Sequence, residues 1–73
     1  MTRAALASLR PLEGRTVGLA LANGGRLDLV QLVSLPLRGL HTFWLFADGA
    51  DLFIDADDVI DVWECRDPSR HAA

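Results

Sequence analysis

The sequence predicts a mainly β protein, with a short N-terminal helix followed by a five-stranded, strongly bent antiparallel barrel. Three observations carry this. Val17, Leu19 and Leu21 alternate on one face, Asn23-Gly24 supplies a turn, and Leu27 and Leu29 resume the alternation, which reads as strand, turn, strand. Asp48-Gly49 and the polar run Asp55-Ala56-Asp57-Asp58 then cut the later chain into short apolar runs of strand length. Finally, the second strand loses its phase after Leu29, where Val30, Leu32 and Val33 follow. Such a shift marks a bulge or bend, the device a small barrel needs to turn its corner.

Each element has a local cause. Thr2 is placed to cap a helix over about residues 3–10, rich in alanine and leucine, with Ala5, Leu6 and Leu9 on one side and Pro11 as its stop. The first strand covers about 15–22. Asn23-Gly24 is read as a two-residue turn, in which both positions take positive φ. The second strand runs over about 26–35 and ends before Pro36, and Leu37-Arg38-Gly39-Leu40 is a connection. Thr42-Phe43-Trp44-Leu45-Phe46 places large residues on both faces of a third strand, about 42–47. A hairpin turn at Asp48-Gly49 leads to a fourth strand over about 50–55, and a fifth covers about 59–64. The domain spans residues 1–66, with 67–73 as a flexible tail.

Seventy-three residues make one domain near the lower limit for independent folding. A core of that size is rarely worth more than about 3–5 kcal/mol without staples. The single Cys65 excludes an internal disulfide, and no Cys/His cluster has zinc spacing. With 51% hydrophobic residues, the least demanding source of further burial is association with copies of the same chain. Charge is unevenly spread. Residues 1–46 carry five arginines against Glu13 and Asp28, and residues 47–73 carry Arg66 and Arg70 against eight acids. The acidic second half repels phosphate. No apolar run approaches the ~18 residues of a membrane span, so a cytoplasmic location is expected.

Catalytic chemistry has little to draw on. His41 and His71 are the only histidines, no serine stands in a nucleophile elbow, and a Cys65–His41 pair would require the fold to bring them together. Asp48, Asp51, Asp55, Asp57, Asp58 and Asp61 lack EF-hand spacing and suit turns, where aspartate caps local N–H groups. No enzyme activity, metal or cofactor is expected. The aromatics Phe43, Trp44, Phe46, Phe53 and Trp63 lie among leucine, isoleucine and aspartate more than arginine. That composition favours a subunit or partner interface, formed by Phe43, Trp44, Phe46, Phe53, Ile54, Val59, Ile60 and Trp63, over a stacking platform for nucleic acid.

The order of parts resembles the Sm-like family of small SH3-like barrels, including its bacterial RNA-chaperone branch (the Hfq type). The resemblance rests on the short helix, Leu12-x-Gly14, Val17, Leu21-x-Asn23-Gly24, Leu27, the long bent strand and two short closing strands, over about residues 3–64. The PRC-barrel family opens with a similar Leu-x-Gly-x-x-Val, but the tight hairpin and the helix favour the Sm-like pattern. The resemblance implies a ring joined edge to edge by the fourth and fifth strands, with RNA around its pore. The RNA signature does not carry over. Ser34-Leu35-Pro36-Leu37-Arg38 replaces the acidic motif after the bent strand, and Phe53-Ile54-Asp55 stands where the chaperone branch has Tyr-Lys-His. The resulting expectation is a non-catalytic homo-oligomeric binding or assembly module acting through protein–protein contacts. The alternative is RNA binding through Arg26, Arg38 and His41 on an arginine-bearing face.

Overall fold

A computed structural model describes residues 1–37 and 39–65. The chain begins with helix α1 (Arg3–Ala7), then a 3₁₀ turn (Arg10–Leu12), and continues as strands β1 (Thr16–Leu21), β2 (Arg26–Ser34), β3 (Thr42–Ala47) and β4 (Ala50–Asp55). A second 3₁₀ turn (Ala56–Asp58) leads into β5 (Val59–Glu64). The five strands form one antiparallel sheet in the order β4-β3-β2-β1-β5. The protein is therefore mainly β. The barrel predicted from sequence is not closed by backbone pairing, since β4 and β5 are the two ends of the sheet.

Thr2 caps α1, its Oγ1 accepting from the Ala5 N–H at 3.1 Å. The helix is shorter than the sequence suggests. It stops at Ala7, and Pro11 sits inside the following 3₁₀ turn rather than just beyond a continuous helix. Five residues cannot hold a helix by themselves. Leu6 anchors this one in the core, with Leu9 and Leu12 packed behind it.

The bend in β2 comes from two inserted residues. Val17 faces Val30 while Leu19 faces Leu27, so Gly18 on β1 is opposed by both Asp28 and Leu29. Further on, Leu32 faces Leu45 while Ser34 faces Trp44, leaving Val33 as the extra residue against β3. Bulges of this kind bend the strand and increase its twist. Here they let β2 pair with β1 through its first half and with β3 through its second. The first bulge also corrects the simple alternation. Leu29 does not follow Leu27 inward; its backbone has φ 56° and its side chain is 57% exposed, while Val30 takes the core position.

The two Gly-containing turns differ in kind. Leu21 N–H donates to Gly25 O at 2.9 Å and Gly24 N–H to Leu21 O at 3.1 Å, which makes a three-residue loop, Ala22-Asn23-Gly24. Only Gly24 has positive φ (90°), so the two-residue turn read at Asn23-Gly24 is not formed. Asn23 instead accepts the Gly25 N–H on its Oδ1 at 2.8 Å. The turn with two positive-φ residues is at Asp48 (53°) and Gly49 (77°), between the paired residues Ala47 and Ala50.

The core consists of Leu6, Val17, Leu19, Val30, Leu32, Leu35, Phe43, Leu45, Val59 and Val62, and no polar or charged side chain among the described residues is buried with it. Glu13 ties the N-terminal segment to this core, its Oε2 accepting the Leu35 N–H at 3.1 Å.

Candidate functional site

The alternation of β3 decides what the protein displays. Phe43 and Leu45 point inward and are fully buried, so Trp44 and Phe46 must point outward. The β3–β4 register places Thr42 beside Asp55, Trp44 beside Phe53, and Phe46 beside Asp51 on that outer face. Trp44 and Phe53 stack with ring centroids 5.8 Å apart and planes inclined by 26°. The Trp44 indole N–H donates to Asp51 Oδ1 at 3.0 Å, which fixes the ring across the strand pair. Phe53 is 62% exposed although it belongs to this cluster. The edge strand β4 borders the face, and between Gly39 and Cys65 the chain has no lysine or arginine.

A second outer surface covers β1, β2 and β5. Gly18 pairs with Trp63, and the half-buried indole lies against the space where a side chain on Gly18 would be. The Arg26 guanidinium approaches the same ring, 5.5 Å from its centroid, and its Nη2 donates to Asp28 Oδ1 at 3.0 Å. Arg15 is held by Glu64 at 3.2 Å. At the β5 edge, Ile60 is the residue inserted by a register shift and is 61% exposed.

The predicted interface residues therefore separate. Trp44, Phe46, Phe53 and Ile60 are exposed. Phe43 and Val59 are corrected to core residues, because their strands turn those positions inward. Ile54 is half-buried against the core from the inner side of β4, and Trp63 is half-covered by its own molecule. Leu29 and Leu40 are exposed apolar residues that the sequence reading missed. Alternation had assigned Leu29 to the inside, and Leu40 lies in a connection with no periodicity to read.

The residues of the RNA alternative do not form one visible group. Arg26 is engaged by Trp63 and Asp28, and His41 is an exposed residue at the approach to β3 whose carbonyl accepts the Ala56 N–H at 2.8 Å. Arg38 lies outside the described residues. No hydrogen bond among the described residues joins Cys65 to His41, and none of their acids, histidines and cysteines form a metal-holding group of three. A concavity of about 450 Å³ is lined by Arg10, Glu13, Ser34, Leu35, Leu37 and Leu40. Its carboxylate is the one committed to the Leu35 N–H, so that group acts as a tie within the fold. No helix is long and apolar enough to cross a membrane among the described residues. No family model, curated protein or solved structure matches the chain.

Proposed function

We propose that this chain is a non-catalytic binding and assembly module of the Sm-like, SH3-like kind, associating with copies of itself through the open ends of its sheet. The observation that carries the reading is the exposed Trp44–Phe53 stack at β4, an edge strand that no other described strand pairs on its outer side. Open edges invite pairing with another chain, and exposed apolar clusters next to them add the burial that makes such pairing stable. The two ends of the sheet differ, β4 bringing Phe53 and β5 bringing Ile60. Pairing β4 of one copy with β5 of the next is therefore heterologous, and it gives a ring when the rotation closes. The short helix, the long bulged β2 and the two short strands that end the chain's sheet support this reading.

Edge pairing leaves the outer face of the Trp44–Phe53 stack open and covers side chains at the edges themselves, and burying one such as Ile60, 61% exposed, is worth roughly 1.5–3 kcal/mol. Several such residues per contact are a useful supplement for a core of ten buried apolar residues among those described. Light scattering on the purified chain, with Ile60→Lys as the edge-disrupting variant, tests the assembly.

RNA binding remains the second reading because one arginine-on-tryptophan contact, Arg26 over Trp63, does occur on an outer face. A salt-titrated assay with short oligo-A and oligo-U decides it, since phosphate contacts must weaken as salt rises.

A further inference from the structure

The outer surface carries tryptophan–aspartate combinations in two places. In the first, Trp63 and Asp28 share Arg26, whose guanidinium lies 5.5 Å from the indole centroid and 3.0 Å from the carboxylate. In the second, Trp44 and Asp51 are joined directly at 3.0 Å, Phe53 stacks alongside, and no arginine among the described residues is paired with that carboxylate. The fold thus supplies one instance of an arginine held between a tryptophan and an aspartate. We propose that the outer face of β3–β4 docks an arginine-bearing extended segment of a partner protein, whose guanidinium groups stack on Trp44 and Phe53 and pair with Asp51 and, further along the strand, with Asp55.

Charge complementarity selects this occupant. From Gly39 to Cys65 the chain has seven carboxylates and, apart from His41, no basic side chain. Aromatic faces attract cations, and adjacent carboxylates add charge-assisted hydrogen bonds. Asp51 uses Oδ1 for the Trp44 indole and Asp55 uses Oδ1 for the Asp57 N–H at 2.9 Å, so both orient their carboxylates through a single oxygen. Arginine suits the face better than lysine, because its flat guanidinium stacks on a ring while forking to a carboxylate. A nucleic acid could also stack on these rings, but its phosphates would meet the same acids. An extended segment presents alternate residues to one side, matching the spacing of Asp51, Phe53 and Asp55 along β4.

This inference rests on reading the chain as a protein-binding module and names the partner's chemistry at one of its surfaces. The test is fluorescence anisotropy of a labelled alternating arginine-glycine peptide titrated with the full chain, alongside the lysine-glycine peptide and oligo-A. Light scattering is run on the same samples. The arginine peptide is expected to bind in a salt-sensitive way and at least about threefold more tightly than the lysine peptide. Phe53→Ala should weaken it about tenfold, and Asp51→Asn about threefold. Phe53 is exposed, so its truncation leaves the core intact, and Asp51→Asn preserves the shape of the side chain. Absence of binding, equal binding by both variants, or preference for oligo-A overturns the proposal. An assembled chain that ignores the peptide overturns this inference alone. A monomer that binds the peptide through Phe53 supports it and removes only the self-assembly reading.

Discussion

Trp63 and Gly18 are cross-strand partners in direct contact: a Cβ on Gly18 would lie 2.6 Å from both Cε2 and Nε1 of the indole. The absence of a side chain on β1 is what allows the ring to lie on the sheet, where Arg26 reaches it. This one contact joins β1, β2 and β5 on the outer surface, opposite the core.

Gly18→Ala is expected to displace the indole and to cost about 1–3 kcal/mol, the range for overpacking a filled site. Urea unfolding measures the loss, and a red-shifted tryptophan emission reports the displaced ring. In a Trp63→Ala background the same change should cost little or become favourable, because glycine within a strand is itself unfavourable by roughly 0.5–1 kcal/mol relative to alanine. Additive effects in that cycle would contradict the contact.

Leu29 combines a positive φ of 56° with 57% exposure, so it carries backbone strain without compensating burial. A left-handed leucine costs about 1–2 kcal/mol. Leu29→Gly should therefore raise the urea midpoint, by up to about 1 kcal/mol of stability, at unchanged slope. A lowered midpoint would mean that the leucine side chain contributes more than its exposure allows.

The two hairpin turns should respond differently to the same mutation. Asp48→Ala places alanine at a φ of 53° and should cost about 1 kcal/mol, whereas Asp48→Gly should be nearly neutral. Asn23→Ala needs no positive φ and loses only the bond to the Gly25 N–H, a cost of about 0.5–1.5 kcal/mol. Accordingly, Asn23→Gly should not rescue it, in contrast to Asp48→Gly. Thermal or urea unfolding of the four variants checks the pattern.

Glu13 fastens the segment after α1 to the end of β2 through the Leu35 N–H. Removing a carboxylate from a partly buried backbone donor costs about 1–3 kcal/mol. Glu13→Ala should lose that amount, and Glu13→Gln, which keeps a carbonyl acceptor, should recover most of it. Hydrogen exchange at the Leu35 amide localises the effect.

Much of the fold was legible because short strands announce themselves through turn residues: the hairpins around Asn23-Gly24 and Asp48-Gly49 and the phase break in β2 all mark real features. The conformations at those turns were not legible, because Asn-Gly fits both a two-residue turn and the last two positions of a three-residue loop. The bond from Leu21 to Gly25 and the tie from Ala22 N–H to Asp58 O, 2.8 Å, distinguish them only in the fold. The surface was half legible for a similar reason. With Phe43, Trp44, Leu45 and Phe46 in succession, sequence shows that one face must be exposed without showing which, and the burial of Phe43 settles it. Likewise Val59 could not be separated from Ile60 by hydropathy, since the register shift in β5 decides which faces inward.

Self-assembly through the open ends of the sheet is decided by multi-angle light scattering at micromolar concentration. The native chain is expected to run as a discrete oligomer and Ile60→Lys as a monomer, since Ile60 is 61% exposed and plays no part in the core. A native chain that stays monomeric across the micromolar range, or an Ile60→Lys oligomer of unchanged mass, would contradict it.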